Sequence, residues 1–169
     1  AEVTFVLDGL SFFAYEGVDA SALLPSGAQI AASVVAETQN SWRITIPATS
    51  LEALPAVRYP SGRSVRWRLG AAATGTLQRQ SDGSVSATIN APLVAFMDDA
   101  TEGTPFPLRF TTETSSSRAG GEVTARDGMR IDPRSGAIQL VATGVSPSTA
   151  ATAPGKPFHA VLSGQLRGI

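Results

Sequence analysis

His159 is the single histidine of this 169-residue chain. Any Ser-His-Asp arrangement would have to pass through it. No Gly-x-Ser-x-Gly elbow accompanies it, and Phe158, Ala160 and Val161 around it read as a strand. The plainer reading is a strand histidine on a polar face with no catalytic role. Lys156 is the only lysine and sits in a Pro-Gly-Lys-Pro turn that reads as solvated, which disfavours a lowered amine pKa. No His-Glu-x-x-His pattern, phosphate-binding glycine loop or dinucleotide fingerprint is present. With no cysteine, thiolate catalysis, disulfides and Cys-based metal sites are excluded.

The carboxylates offer one compact cluster, Asp98, Asp99 and Glu102, after an apolar run. Hard cations such as calcium collect several carboxylate and carbonyl oxygens. These three lack the alternate spacing that turns such oxygens onto one ion, so a solvated loop is the simpler account. No cofactor is expected beyond this calcium option. The remaining candidates are aromatic and cationic. In Arg66-Trp67-Arg68, a strand would put both guanidinium groups on one face and the indole on the other. The arginines would then suit an anionic ligand, while Trp42 and Trp67 would suit a sugar ring or an apolar ligand. Phe12, Phe13 and Tyr15 gather after Gly9, either as a fully buried strand or as the lining of a pocket. Against this, large aromatics on the apolar side of an alternating strand are usually core, and both indoles are expected there.

Strands must position all of these groups. Val3, Phe5 and Leu7 alternate with Thr4, Val6 and Asp8. Trp42, Ile44 and Ile46 alternate with Arg43, Thr45 and Pro47, and the same period runs through Val65–Trp67–Leu69, Val85–Ala87–Ile89 and Phe106–Leu108–Phe110. Turn signals separate the runs: Pro25-Ser26-Gly27, Pro60-Ser61-Gly62, Ser81-Asp82-Gly83, Arg126-Asp127-Gly128 and Arg134-Ser135-Gly136. Two helical turns are expected as connectors. One runs from a Thr49 cap through Leu54 with Glu52 as reciprocal partner; the other runs from an Asp19 cap to Leu24. The small polar stretch from Thr114 to Gly121 is expected to be the most flexible loop, and Val145 to Gly155 a second one.

A Gly-x-Pro-Phe tetrad occurs twice, at Gly103–Phe106 and Gly155–Phe158, each following a glycine turn and a strand. A repeated strand–loop–strand unit and chance agreement at a common strand start both account for it.

The chain is expected to form one domain over residues 1–169: an antiparallel β-sandwich of roughly 8–11 strands, with a closed barrel as runner-up. Charged residues make up only 16%, so much of the polar surface must come from Ser, Thr and Gly. A net charge of −1 gives no general attraction to nucleic acid, and no stretch approaches the length of a membrane helix. The first residues alternate as in a mature chain after signal-peptide removal. Export from a bacterium (periplasmic, cell-surface or secreted) is therefore expected. The function expected first is a non-enzymatic binding or structural module acting through loops or a sheet face, with a protein, glycan or apolar ligand as partner. A barrel carrier of an apolar small molecule or lipid comes next, favoured by the aromatic start and many alanines. A carboxylate- or metal-dependent hydrolase is third.

Overall fold

Antiparallel pairing accounts for every ladder in the computed structural model, which describes residues 1–15, 18–119, 121–146 and 155–168. The strands are β1 (Glu2–Leu7), β2 (Phe12–Tyr15), β3 (Gln29–Ala36), β4 (Ser41–Ile46), β5 (Val57–Arg58), β6 (Ser64–Leu69) and β7 (Ala73–Arg79). They continue with β8 (Val85–Met97), β9 (Thr104–Thr111), β10 (Thr114–Ala119), β11 (Glu122–Asp127), β12 (Ala137–Val145) and β13 (Pro157–Arg167). No helix among these residues is long and apolar enough to cross a membrane.

Eight strands form a ring in the order β8, β7, β4, β3, β1, β13, β12, β9, which returns to β8. One pair, Val141↔Thr111, makes the β12–β9 closure. The ring is flattened and sandwich-like rather than a clean barrel, because two of its longest strands change partners midway. β8 pairs first with β7 and then with β6, where Gly70–Ala73 stand opposite only Ala91 and Pro92. β13 pairs with β2 and then β1, where Asp8–Ser11 stand opposite Leu162 and Ser163. Extra residues on one side of a ladder bend it. Pro92 fits such a site because the ladder there needs no N–H from it. At the other bend Ser11, fully buried, supplies the missing partner: its hydroxyl donates to Ser163 O at 3.0 Å and accepts from Ser163 N at 2.9 Å. These bends split two continuous runs into β1/β2 and β6/β7, which is one reason the strands outnumber the expected 8–11.

The bends also bring β2 and β6 to face each other across the interior. Phe13 stacks on Trp67 with ring centroids 5.1 Å apart, and Phe158 packs against Trp67 at 5.4 Å and Phe106 at 4.7 Å. Such pairs add about 0.5–1.5 kcal/mol each beyond the area they bury. The indole N–H of Trp67 donates to Tyr59 Oη at 3.2 Å, and that hydroxyl donates to the Phe13 carbonyl at 2.7 Å. The apolar members of the alternating runs at Val3–Leu7, Val65–Leu69, Val85–Ile89 and Phe106–Phe110 all lie in this core.

Gly-x-Pro-Phe marks equivalent positions of two hairpins. Pro105 stands opposite Val94 in β8–β9, and Pro157 stands opposite Val145 in β12–β13. A Cβ on Gly103 would lie 2.2 Å from Val94 Cγ1, and one on Gly155 would lie 2.4 Å from Val145 Cγ1. In both copies a valine methyl occupies the space a side chain would need, and the following phenylalanines meet in the core.

Several local expectations are corrected. Gly27, Gly62, Gly83 and Gly136 take the positive φ their turns require, but Gly128 does not. A Cβ on Gly128 would strike the Thr112 backbone at 2.6 Å, so close approach is the reason for that glycine. The helical turns are short 3₁₀ segments, Asp19–Ser21 and Ala48–Leu51, and neither has a side-chain cap. Ser50 instead bonds Ala31 O, and Asp19 lies inside its turn, facing elsewhere. The stretch expected as a loop from Thr114 is strand β10. Of the second expected loop, Val145 to Gly155, residues 147–154 lie outside the described residues.

Candidate functional site

β10 and β11 form a two-stranded sheet of their own on the outer face of the ring. Their register closes with Ala119↔Glu122, and Gly128 N bonds Glu113 O at 2.6 Å at the stem. Ladder bonds fall on alternate pairs of an antiparallel hairpin. Glu122, Thr124 and Arg126 therefore turn their backbone groups toward β10, while Val123, Ala125 and Asp127 turn theirs outward.

The serine run is explained by what lies beneath it. Beyond Val141, the edge of β12 has no ladder partner from β9. Ser115 Oγ accepts from Thr143 N at 3.1 Å and lies 2.9 Å from Thr143 Oγ1, and Ser117 Oγ donates to Gly144 O at 3.3 Å. The Ser115 hydroxyl thus stands in for a strand's backbone at Thr143 on that edge, and Ser117 adds a bond to a carbonyl beside it.

Arg126 fastens the other strand of the hairpin. It forms an ion pair with Asp19 Oδ2, its Nη2 lies 3.1 Å from His159 Nε2, and its guanidinium sits 5.0 Å above the Phe12 ring. His159, on β13, is only 3% exposed. Its Nε2 lies between Asp19 Oδ1 at 2.6 Å, which can only accept, and Arg126 Nη2 at 3.1 Å, which can only donate. Nε2 is thus engaged by Asp19 and Arg126, and Nδ1 is buried without a hydrogen-bond partner.

A groove of about 560 Å³ opens beside the outward edge of β11. Val123 through Asp127 form one side; Asp19, Gln139 on β12 and His159 line the rest. Gln139 Nε2 donates to the outward carbonyl of Asp127 at 3.1 Å. Val123 and Ala125 keep their outward groups without a backbone partner among the described residues.

The residues singled out from sequence do not converge here. Trp67 and Phe13 belong to the aromatic core, and Tyr15 lies at its margin against Tyr59 and Phe158. Burial pushes the Tyr15 phenol above its usual pKa. Phe12 lies on the opposite face of β2, under Arg126. Trp42 is only half-buried, contrary to the expectation that both indoles are core: Arg79 sits 5.1 Å over its ring, and it edges a recess of about 340 Å³ with Val3 and Val34. Arg68 donates to the Leu51 and Leu54 carbonyls, and Arg66 to Ala100 O above the Phe96 ring. Partial burial, and then Arg66 nearby, lower the Arg68 pKa. Asp98, at a positive φ of 50°, accepts from Ser64 N and pairs with Arg63. Those two bonds, the backbone one first, hold its carboxyl below the usual range. Among the described residues no three His, Asp or Glu side chains gather as a metal-ligand group.

Asp19, Arg126, Gln139 and the β11 edge had no sequence signal as a site. Asp19 reads as a helix cap and Arg126 as part of a turn, and Asp19 meets His159 across 140 residues of chain. Comparison with known proteins finds no matching family model, no matching curated protein and no matching solved structure, so the site stands on its own geometry.

Proposed function

We propose that this chain is a non-enzymatic binding module that acts through the groove between β11 and the Asp19 turn. The observation that carries this reading is the unpaired outward backbone of β11 facing an open volume of about 560 Å³. A buried N–H or C=O demands a partner; an exposed one beside a groove offers itself to a ligand. The interior of the ring favours this reading over a carrier. Between Phe13, Ile30, Leu93 and Leu140 it leaves about 40 Å³, close to the roughly 30 Å³ share of one water and far below a lipid chain. The Asp19–His159 pair, which superficially resembles a catalytic dyad, orients Arg126 and anchors the hairpin.

Native mass spectrometry of the protein purified from its own host tests the reading without knowledge of the ligand. A bound mass is expected on the wild type and is expected to be lost from Ala125→Trp, which fills the groove from an exposed position. A bare wild-type mass, or an equal load on both proteins, would overturn the assignment of binding to this groove.

A further inference from the structure

The exposed edge of β11 narrows the class of ligand. Six residues long, it is a longer open edge than the two-residue β5, and it is neither bulged nor interrupted by proline. Natural proteins blunt long edges with such devices because an open row of N–H and C=O groups recruits another strand. Here the row is kept, and it faces a groove.

The groove admits a single strand. Two antiparallel edges that join in one sheet are related by a two-fold axis perpendicular to that sheet, so the bodies behind them lie on the same side. On that side the Asp19 turn, tied to β11 by its ion pair with Arg126, and β13 already stand below the edge. A second hairpin with its own ring behind it meets those elements, whereas one extended segment, about 4.8 Å from β11, lies above them.

Charge selects the segment further. Arg126 is matched by Asp19. Glu122 and Asp127, at the two ends of the edge, are exposed and enter no ion pair among the described residues; the Asp127 carboxylate accepts only the Thr114 hydroxyl, and its carbonyl accepts from Gln139. Arg118, across from Val123, gives its guanidinium to the Gly121 carbonyl. Between the acidic ends the outward face carries only Val123 and Ala125.

Resting on the binding-module reading above, we propose that β11 binds, by strand addition, an extended segment of another polypeptide with small or apolar residues in its middle and a lysine or arginine near each end. Backbone bonds supply the general attraction, and the terminal charges fix register.

The test uses a terminally blocked Lys-Val-Thr-Val-Thr-Lys peptide at millimolar concentration with the full chain. Hydrogen exchange at the Val123 and Ala125 amides is expected to slow on adding it. Exchange elsewhere in the ring stays unchanged. A Glu-flanked version of the peptide, or one N-methylated at alternate amides, is expected to give no protection. Ala125→Pro removes an N–H that the hairpin does not use, and it is expected to abolish the effect. Glu122→Gln and Asp127→Asn should each weaken binding about two- to five-fold, the range of exposed ion pairs. Unprotected amides with the lysine peptide overturn strand addition, as does binding that is indifferent to N-methylation. If the groove-dependent mass from the host-purified protein persists in that case, the binding-module reading survives alone. Protection that grows with protein concentration and needs no peptide would make a second copy the occupant and overturn the proposal.

Discussion

The ring and the β10–β11 hairpin are both antiparallel β-structure, yet they are held by different forces. In the ring, alternate side chains disappear into an apolar interior, and Phe158 at its centre has no exposed surface. The hairpin has no core of its own. Its half-buried face is Ser115, Ser117, Ala119, Thr124 and Arg126, and Ser115, Ser117 and Arg126 reach the ring through hydrogen bonds, an ion pair and a cation over an aromatic ring. Burial is non-directional and cooperative across the domain, whereas hydrogen bonds at an edge are local and contribute about 1 kcal/mol each. The expected consequence is two levels of stability in one chain, with the hairpin opening as a unit before the ring does.

The sharpest break of this comparison is in the ring. Phe158→Ala removes a ring that touches Trp67, Phe106 and Tyr15, and it should cost about 3–5 kcal/mol. Denaturant unfolding should shift the midpoint of every probe together, hairpin included. Loss of the hairpin alone would show that the aromatic cluster does not hold the domain together.

Tyr59 is the ring's polar weak point. Its hydroxyl serves both Phe13 O and Trp67 Nε1, and Tyr59→Phe leaves those two buried groups unpaired at about 1–3 kcal/mol. Burial pushes the Tyr59 phenol well above its usual pKa, with nearby Tyr15 adding a little and the Trp67 bond opposing. The folded state therefore holds this proton more tightly than the unfolded state. Its contribution is full below about pH 10, the unfolded value, and is lost as pH rises toward the higher folded value. Urea midpoints measured from pH 8 to 11 should fall on the alkaline side, and Tyr59→Phe should flatten that fall. A decline of equal steepness in the variant would assign it to other groups.

A smaller effect separates the two regions directly. Replacing Ser115 and Ser117 together with Ala removes the partner of Thr143 N and the Ser117 bond to Gly144 O, at about 1–2 kcal/mol. Amides of β10 and β11 should exchange faster, while those of β1, β3 and β8 keep their wild-type rates. Uniform acceleration across the chain would mean that hairpin and ring form one cooperative unit.

The same division decides what could be read from the sequence. Val65, Trp67 and Leu69 announce a strand because period-2 burial leaves a period-2 pattern. Trp42 carries the same pattern in β4, yet it lies half-exposed, because alternation reports which face a side chain takes and not how deep that face lies. The stretch from Thr114 has no apolar period at all. Its order comes from hydroxyls that satisfy another strand's edge, and small polar residues look alike whether they meet such an edge or water. Asp19, Arg126 and His159 meet only once the bend at Asp8–Ser11 has turned β2 along β13 and the hairpin has folded back. No local spacing encodes that meeting.

The smallest predicted effect lies at the hairpin stem. Glu113 precedes β10 and Arg130 follows β11, so their contact closes the loop that carries the hairpin. Arg130 Nε donates to both carboxylate oxygens, at 2.9 and 3.1 Å, and Nη2 donates to Oε1 at 2.5 Å. The Arg130 bonds, helped by the Thr112 hydroxyl, hold the Glu113 carboxyl below its usual range. The sign is opposite to that of Tyr59. A carboxyl with a lowered folded pKa contributes stability above its unfolded value of about 4.3, and that stability disappears as pH falls through the lower folded value. Both side chains are roughly two-fifths exposed. The pair should therefore contribute no more than about 1 kcal/mol, and less in high salt. Glu113→Gln at neutral pH should speed exchange of the hairpin amides by up to about five-fold without moving the global midpoint. Between pH 5 and 3 the wild type should approach the variant's rates, while the variant changes little beyond the intrinsic pH effect on exchange. If the wild type keeps its slower hairpin exchange at pH 3, the pair does not hold the stem, and Arg126 with the two serines must hold the hairpin without it.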